Sequence, residues 1–206
     1  MHAPAPIALE DVTRHPALFR RLDAIAGIAY DLRYAGTHNF EGRALYQGLD
    51  CAWLREEAAR GLEAAAAWLA AHGAGLHLLV LDALRPQRVQ EAIWRDVAGT
   101  PAEPYFAEPV RGSIHSFGMA VDVTLIDGVG RELDMGSGFD EASERSHPAR
   151  EDALLADGTL TAAQVAARAR LRRAMGAGGF QGIATEWWHY NHGDPQRVRR
   201  EFPRVL

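Results

Sequence analysis

Two short segments, about seventy residues apart, constrain the fold of this chain more than any other feature. One is SIHSFGMAVD, residues 113–122, and the other is EWWH, residues 186–189. Together they offer two imidazoles and two carboxylates, which are side chains that hold and assist a catalytic zinc ion. Sharing one metal requires a fold that brings two distant parts of the chain to one point.

The spacing within each segment adds a geometric condition. His115 and Asp122 are seven residues apart, and an odd spacing on one strand points two side chains to opposite faces. We therefore expect His115 to lie on a loop ahead of the strand that carries Asp122, with a bend at residues 116–118 between the two. Glu186 and His189 are three residues apart, so a bulge or a strand end is expected there.

Two interpretations of these residues are open from the sequence alone. Catalytic zinc sites use three protein ligands and keep a fourth position open, and His115, Asp122 and His189 satisfy that count. Glu186 is then left over as a general base. Alternatively, His189 is a core histidine beside two tryptophans, and Asp122, which lies between two valines, is buried against an arginine.

Hydrophobic patterning predicts a single α+β domain. Apolar residues at spacings of three and four predict a helix over residues 50–72, and a buried strand follows at 76–82. The other expected segments are a helix at 87–97 after Pro86, a loop at 99–112, a strand at 120–126, an irregular region at 127–158, a helix from Thr161 to Gly176 that begins with a capping box, and a final strand at 180–190. No regular βαβ rhythm is present, which favours a central, mostly antiparallel sheet flanked by helices.

Composition limits the class of protein. The 206 residues suit one domain, and a net charge of −5 argues against a nucleic-acid or anionic-membrane partner. No apolar run approaches the ~20 residues that span a bilayer, and no export signal is visible, so we expect a cytoplasmic protein.

Cys51 is interpreted as a partly buried structural thiol at a helix start. All 22 basic residues are arginine, so a cluster of arginines is weak evidence for phosphate binding. One cluster on a predicted helix is therefore interpreted as a solvated face: Arg168, Arg170, Arg172 and Arg173.

Five segments together resemble the zinc D-alanyl-D-alanine peptidases. Besides the two already described, DLRYAGTHNFEG at 31–42, DALRPQ at 82–87 and DMGSGFDEASERSH at 134–147 resemble the D-Ala-D-Ala dipeptidase branch associated with vancomycin resistance. The similarity extends from about residue 28 to residue 192. It implies an α+β fold of the D-Ala-D-Ala peptidase and hedgehog-like type, with one Zn²⁺ per chain. It also implies that residues 1–206 form a single dipeptidase domain.

The resemblance implies catalytic roles for five residues. Three would bind zinc: His115, Asp122 and His189. Glu186 would be the catalytic base that activates a zinc-bound water, and Arg85 would stabilise the oxyanion together with zinc. Without the resemblance, Arg85 would be assigned to an ordinary salt bridge with Asp82 at the strand end.

Substrate contacts are implied at a further group of positions. A dipeptide presents an ammonium group, for which Asp140 is the expected partner, and a carboxylate, for which Ser113 and nearby backbone N–H groups are expected partners. Tyr34 and Asn39 lie in a matching segment, and structural and binding roles are both open for them. A structural role is favoured for three residues of the 134–147 segment: Ser143, Glu144 and His147.

Three functions are consistent with this sequence. The favoured one is hydrolysis of D-alanyl-D-alanine to two D-alanines, in antibiotic resistance or in the scavenging of cell-wall dipeptide. A carboxypeptidase that trims the terminal D-Ala of peptidoglycan stems is disfavoured by the missing export signal. A non-catalytic zinc-binding module on the same scaffold would not need both Glu186 and Arg85. The expected partner is therefore a small D,D-dipeptide, and the sequence sets no oligomeric state.

Overall fold

A computed structural model describes residues 4–206. These residues form seven strands: β1 (Phe19–Arg21), β2 (Ile28–Tyr30), β3 (Trp53–Arg55), β4 (His77–Asp82), β5 (Ala120–Ile126), β6 (Phe180–Gly182) and β7 (His189–His192). They also form five α-helices: α1 (Glu56–His72), α2 (Gln87–Val97), α3 (Glu151–Ala156), α4 (Ala162–Ala177) and α5 (Pro195–Glu201). A 3-10 helix, Ile114–Phe117, precedes β5. No helix within this part of the chain is long and apolar enough to cross a membrane.

The centre of the molecule is a five-stranded sheet in the order β2–β4–β5–β7–β6. β2 pairs with β4 in parallel, and the other three pairings are antiparallel. β1 and β3 form a separate antiparallel pair. The predicted α+β class, with a mostly antiparallel sheet and flanking helices, is confirmed.

The central strand β5 is buried along its whole length. Polar side chains on its Asp122 face and apolar side chains on the Val121 face are both covered, so the sheet is a middle layer. On one side α1 packs against α4. Their approach is close, because a Cβ atom on Gly61 would lie 2.5 Å from the carbonyl oxygen of Gly178. Only glycine at this position avoids a clash with backbone.

Several local predictions are confirmed by the structure. β4, α2 and β5 begin and end within one residue of the expected positions. The capping box of α4 is present, because Thr161 Oγ1 accepts a hydrogen bond from the Gln164 backbone N–H and Gln164 Oε1 accepts one from the Thr161 N–H. These features depend on residues close together in sequence, which is why the pattern alone predicts them.

The predicted start of the first helix at Asp50 is wrong. Residues Trp53–Arg55 form β3, which pairs with β1, and α1 begins only at Glu56. The Asp50 carboxylate accepts the N–H of Ala52 in a local turn instead of capping a helix. Cys51 is buried, but it lies in this turn before β3 and not at a helix start.

The predicted single strand at 180–190 is also wrong. The chain forms two short antiparallel strands, β6 and β7, with a loop at 183–188 between them. The region 127–158 is irregular for most of its length, but it ends in the short helix α3. The strand is divided because the chain reverses at residues 183–188, and the alternation of apolar and polar residues does not reveal that reversal.

The solvated-face interpretation of the arginine cluster is wrong for Arg168. This side chain is buried, and its Nε donates to the Met135 carbonyl at 2.6 Å while its Nη2 donates to the Arg145 carbonyl at 2.8 Å. Its charge also faces Glu151. The partners come from the 127–158 region, which folds over α4, so the helix sequence gives no sign of them. The remaining members are exposed or half-buried, as expected: Arg170, Arg172 and Arg173.

Candidate active site

Three side chains that the sequence selects as metal ligands meet at one point. His115 Nε2 lies 3.1 Å from His189 Nδ1 and 3.3 Å from Asp122 Oδ1, and His189 Nδ1 lies 3.0 Å from Asp122 Oδ1. Among residues 4–206, this is the group of histidine and carboxylate side chains whose ligand atoms converge closely enough to hold a metal. The fold therefore brings the three side chains that the sequence selects close to one another.

The sheet explains how the distant segments come together. Asp122 on β5 and His189 on β7 are directly paired across neighbouring antiparallel strands, so their side chains share one face. His115 approaches from the 3-10 helix before β5, and Gly118 ends that helix with a φ of 66°, a left-handed conformation that favours glycine. The expected bend after His115 and the expected strand end between Glu186 and His189 are both present.

Neighbouring groups fix which nitrogen of each imidazole faces the centre. His115 Nδ1 donates to the Ala83 carbonyl at 2.7 Å, which leaves the lone pair on Nε2. His189 Nε2 donates to Asn191 Oδ1 at 3.0 Å, which leaves the lone pair on Nδ1. Such outer contacts orient metal-binding imidazoles and select their tautomer.

The resulting donor set fits a divalent metal ion. Two imidazole lone pairs and a carboxylate oxygen face one another with no donor between them, so a cation is needed at the centre. Tetrahedral coordination with bonds of ~2.0–2.1 Å places ligand atoms about 3.3 Å apart. The observed separations of 3.0 to 3.3 Å are close to that value.

The electrostatics of Asp122 favour its anionic form. Its second oxygen, Oδ2, faces Arg85 Nη2 at 3.4 Å. A charged carboxylate with one oxygen free for a cation is what a metal ligand requires.

Glu186 stands beside the triad but outside it. It lies in the loop between β6 and β7 and lines the same cavity as the three candidate ligands. Within residues 4–206 no hydrogen bond to its carboxylate is present. Burial raises the pKa of Glu186 to about 8, and the His189 imidazole acts in the opposite direction. A carboxylate with a raised pKa is a stronger base, so it can take a proton from water.

Arg85 is held beside Asp122 by a buried ion pair. Its Nε and Nη2 donate to Asp82 Oδ2 at 2.9 and 2.7 Å, and the guanidinium lies 4.7 Å from the centre of the Tyr34 ring. Asp82 itself accepts a hydrogen bond from the Tyr46 hydroxyl. The salt bridge to Asp82 is therefore present, and the same guanidinium also lines the cavity. The salt bridge therefore does not keep the guanidinium out of the cavity.

Asp140 brings a second carboxylate to the cavity. Its backbone has a φ of 59°, unusual for a residue other than glycine, and its Oδ1 accepts a hydrogen bond from the Tyr34 hydroxyl at 3.3 Å. Its Oδ2 is enclosed and has no hydrogen-bond partner within residues 4–206. Burial, reinforced by the negative charge of Asp122, raises the pKa of Asp140 to about 8. Within the described part of the chain this carboxylate therefore forms no ion pair with a cationic side chain.

Ser113 and two arginines also line the cavity, which has a volume of about 300 Å³. Arg199 Nε donates to the carbonyl of Gly112, next to Ser113, and its pKa is lowered by burial and by the nearby charges of Arg111 and Arg204. Within residues 4–206 neither Arg111 nor Arg199 forms an ion pair with a carboxylate. Neither arginine is predicted from the sequence as a site residue, because no motif contains them and arginine is so abundant in this chain.

Two loops enclose one side of the cavity. The 99–112 loop contributes Tyr105, and the 134–147 segment contributes Asp140. The Tyr105 hydroxyl and His147 Nε2 share a hydrogen bond of 3.0 Å, which joins the two loops. Asn39 holds its own loop by donating to the carbonyls of Arg33, Gly36 and Arg43, so it is structural. Tyr34 is also fully buried and contacts both Asp140 and Arg85.

Sequence comparison places the chain in a family. The family model described as D-ala-D-ala dipeptidase matches residues 18–206, which is most of the chain. The chain therefore belongs to this family and is a metallopeptidase of the dipeptidase class. The resemblance inferred from the five sequence segments is confirmed.

Individual relatives are similar over most of their length. A D-alanyl-D-alanine dipeptidase of Escherichia coli K12 is 39% identical over 160 residues, which cover 78% of this chain and 76% of the relative. A D-alanyl-D-alanine dipeptidase of Enterococcus faecium is 33% identical over 192 residues, which cover 84% of this chain and 90% of the relative. A third, from Streptomyces coelicolor, is 32% identical over 193 residues, with 82% and 87% covered.

Proposed function

We propose that this chain is a zinc-dependent dipeptidase that hydrolyses D-alanyl-D-alanine to two D-alanines. The observation that carries the proposal is the convergence of His115, Asp122 and His189 in a cavity that Glu186 and Arg85 also line. The relatives from Escherichia coli and Enterococcus faecium, both called D-alanyl-D-alanine dipeptidase, support the substrate.

The proposed zinc ligands are His115 Nε2, Asp122 Oδ1 and His189 Nδ1. Zinc, when bound, supplies a Lewis acid that polarises a carbonyl and lowers the pKa of water from near 16 toward ~7. Ala83 and Asn191 keep the two imidazoles in the tautomers that zinc requires, through the hydrogen bonds to their outer nitrogens. One ion per chain is expected, because the chain brings together one such triad within residues 4–206.

Glu186 is proposed as the general base and then the general acid. Its carboxylate accepts a proton from the water that attacks the peptide carbonyl, and it then delivers that proton to the departing amine nitrogen. The partly enclosed position of Glu186 in the cavity supports this role, because a carboxylate shielded from solvent holds a proton more readily than an exposed one.

Arg85 is proposed to stabilise the negative charge that develops on the carbonyl oxygen. A guanidinium keeps its proton at any working pH, and here the ion pair with Asp82 holds it in place. Burial opposes the charge of Arg85, but Tyr34, Asp82 and Asp122 outweigh burial and keep its pKa well above the usual value. A fixed cation of this kind acts as an oxyanion donor without reorganising during the reaction.

Asp140 is proposed to bind the substrate ammonium group, with Tyr34 holding it in place. The unpartnered Oδ2 of Asp140 supports this role, because a buried anion requires a cation. Asp140→Asn removes the charge and should raise KM for D-Ala-D-Ala well above its effect on kcat. Steady-state kinetics on the dipeptide and on its N-acetylated form test this assignment. An unchanged KM for the free dipeptide would contradict it.

The substrate carboxylate is proposed to bind at the Ser113 end of the cavity. The Ser113 hydroxyl supplies a hydrogen bond, and Arg111 and Arg199, which form no ion pair within residues 4–206, supply charge. An acidic group and two arginines that line the same cavity suit a substrate that has both charges free. A free dipeptide has both charges. In a peptidoglycan stem the chain continues on the N-terminal side of the penultimate D-Ala, so that residue has no free ammonium group.

The alternatives are separated by one experiment, the release of free D-alanine by the purified, zinc-loaded protein. The substrates are D-Ala-D-Ala, L-Ala-L-Ala and a pentapeptide that ends in D-Ala-D-Ala. Cleavage of the D,D-dipeptide alone would support the proposal. Cleavage of the pentapeptide would favour the carboxypeptidase, and no cleavage would leave a non-catalytic zinc-binding module.

A further inference from the structure

Gln90 is a fully buried polar residue of α2 that lies in none of the five motif segments. Its side chain makes two hydrogen bonds. Arg85 Nη1 donates to Gln90 Oε1 at 3.1 Å, and Gln90 Nε2 donates to the Ala107 carbonyl at 2.7 Å. A guanidinium can only donate and a carbonyl can only accept, so these partners define the orientation of the amide.

The other contacts of Arg85 leave one motion unrestrained. Its Nε and Nη2 both donate to Asp82 Oδ2, and Nη2 also faces Asp122 Oδ2 at 3.4 Å, so these contacts all lie on one edge of the guanidinium, about which the Nη1 corner can pivot. The Tyr34 ring covers the guanidinium at 4.7 Å but offers no directional bond. Gln90 Oε1 holds the Nη1 corner, which lies away from Asp82, and prevents the pivot. This contact therefore sets the direction of the remaining N–H group of Nη1.

We propose that Gln90 is a positioning residue that fixes Arg85 and connects it to the wall of the cavity. The inference rests on the proposed function, because it treats Arg85 as the group that stabilises the oxyanion. Ala107 itself lines the cavity, in the same loop as Tyr105 and Arg111. A single amide thus links the orientation of Arg85 to the wall against which the substrate packs.

Gln87 provides a matched control on the same helix. It is almost fully buried, and its Nε2 donates to the Pro109 carbonyl at 3.1 Å, so it also connects α2 to the 99–112 loop. It makes no hydrogen bond to Arg85. Gln87→Leu and Gln90→Leu each remove a buried glutamine side chain from α2. Each also removes one hydrogen bond from α2 to the 99–112 loop. Only the second removes a bond to Arg85.

The first measurement compares kcat and KM for D-Ala-D-Ala. Gln90→Leu should lower kcat roughly 10-fold, less than the ~10²–10³ expected for removing an oxyanion donor, because Arg85 is misplaced and not absent. KM should change little, and Gln87→Leu should leave kcat within about twofold. In an Arg85→Ala background, Gln90→Leu should cause no further loss of kcat. An equal loss in both backgrounds, or equal losses in the two glutamine variants, would overturn the proposal.

The second measurement does not depend on activity. The Nη1 N–H protons of Arg85, which include the donor to Gln90, are assigned in ¹⁵N spectra by their loss in Arg85→Ala and should be protected from solvent exchange in the native protein. That protection should be lost in Gln90→Leu and kept in Gln87→Leu, with melting temperatures showing that both variants fold. Retained protection in Gln90→Leu would refute the positioning role. Protein that hydrolyses no D,D-dipeptide would refute the proposed function instead, and the exchange measurement would still test Gln90.

Discussion

Glu186 is the residue whose replacement separates catalysis from metal binding. Its carboxylate lines the cavity but is not one of the three converging ligand atoms. Glu186→Gln should therefore keep one zinc per chain and lose ~10²–10⁴ in kcat, the usual contribution of general acid–base catalysis. Metal analysis and single-substrate kinetics on the same preparation measure both quantities.

Glu144→Gln is a suitable control for that variant. Glu144 lies in the 134–147 segment, is exposed and pairs with Arg150, so its replacement should alter neither zinc content nor kcat. Full activity in zinc-loaded Glu186→Gln would remove Glu186 from the mechanism. Loss of zinc from the same variant would show that Glu186 is a ligand.

Arg199 is the residue through which recognition of the substrate carboxylate can be tested. Arg199→Gln should raise KM for D-Ala-D-Ala with a smaller change in kcat, because it removes a cation that lines the cavity without touching the metal triad. The neighbouring Arg200 is exposed and pairs with Glu201, so Arg200→Gln should leave KM unchanged. The dipeptide amide, which lacks the carboxylate, should be cleaved equally by Arg199→Gln and by the unsubstituted protein. A KM effect that is just as large on the amide would contradict the assignment.

For individual residues, the sequence predicts the members of the site that belong to motifs and misses the members that do not. The triad, Glu186 and Arg85 stand in recognisable patterns, and the structure brings all of them to one cavity. Gln90 and Arg199 have no such pattern. Gln90 contacts Arg85 because Pro86 turns the chain from β4 into α2. The spacing of residues in the sequence does not predict the geometry of that turn.

Among the elements, α4 offers a direct test of local stabilisation. Thr161→Ala removes the hydroxyl that caps the helix, and the loss of such a cap typically costs about 1 kcal/mol of unfolding free energy. For a chain of this length the melting temperature should fall by roughly 2–4 °C. Thr161→Ser keeps a capping hydroxyl and should restore the stability. Equal losses in both variants would show that the threonine methyl group, and not the cap, is responsible.

The elements that the sequence predicts well are those with local signals. β5 has strict alternation and α4 has its capping box, and both are found where expected. The failures depend on distant partners. Residues 53–55 become a strand because β1 pairs with them, and Arg168 is buried because the 127–158 region supplies its acceptors. Such contacts join segments far apart in the chain, so periodicity within a helix or strand does not reveal them.

For the whole molecule, removal of the metal should lower stability as well as activity. The three candidate ligand atoms face one another, and without a cation they lose their common partner. A ligand present at a thousand times its Kd contributes about 4 kcal/mol, so chelation should lower the melting temperature by roughly 10 °C.

Calorimetry with and without chelator measures this effect, and added zinc should restore both stability and hydrolysis. Glu186→Gln serves as the control, because it should show the same shift in melting temperature without activity. An unchanged melting temperature on chelation would argue against a bound metal at the triad.

The order of the strands also determines when the metal site can form during synthesis. A ribosome that has released the chain through β5 has produced His115 and Asp122, but the partner strand β7 comes some seventy residues later. Until β7 pairs with β5, one edge of β5 remains an open edge of the sheet, and only two ligands are present. Binding of a metal by all three candidate ligands is therefore expected only after β7 has been synthesised. A nascent chain that stops within α4 would expose that edge to chaperones and proteases instead.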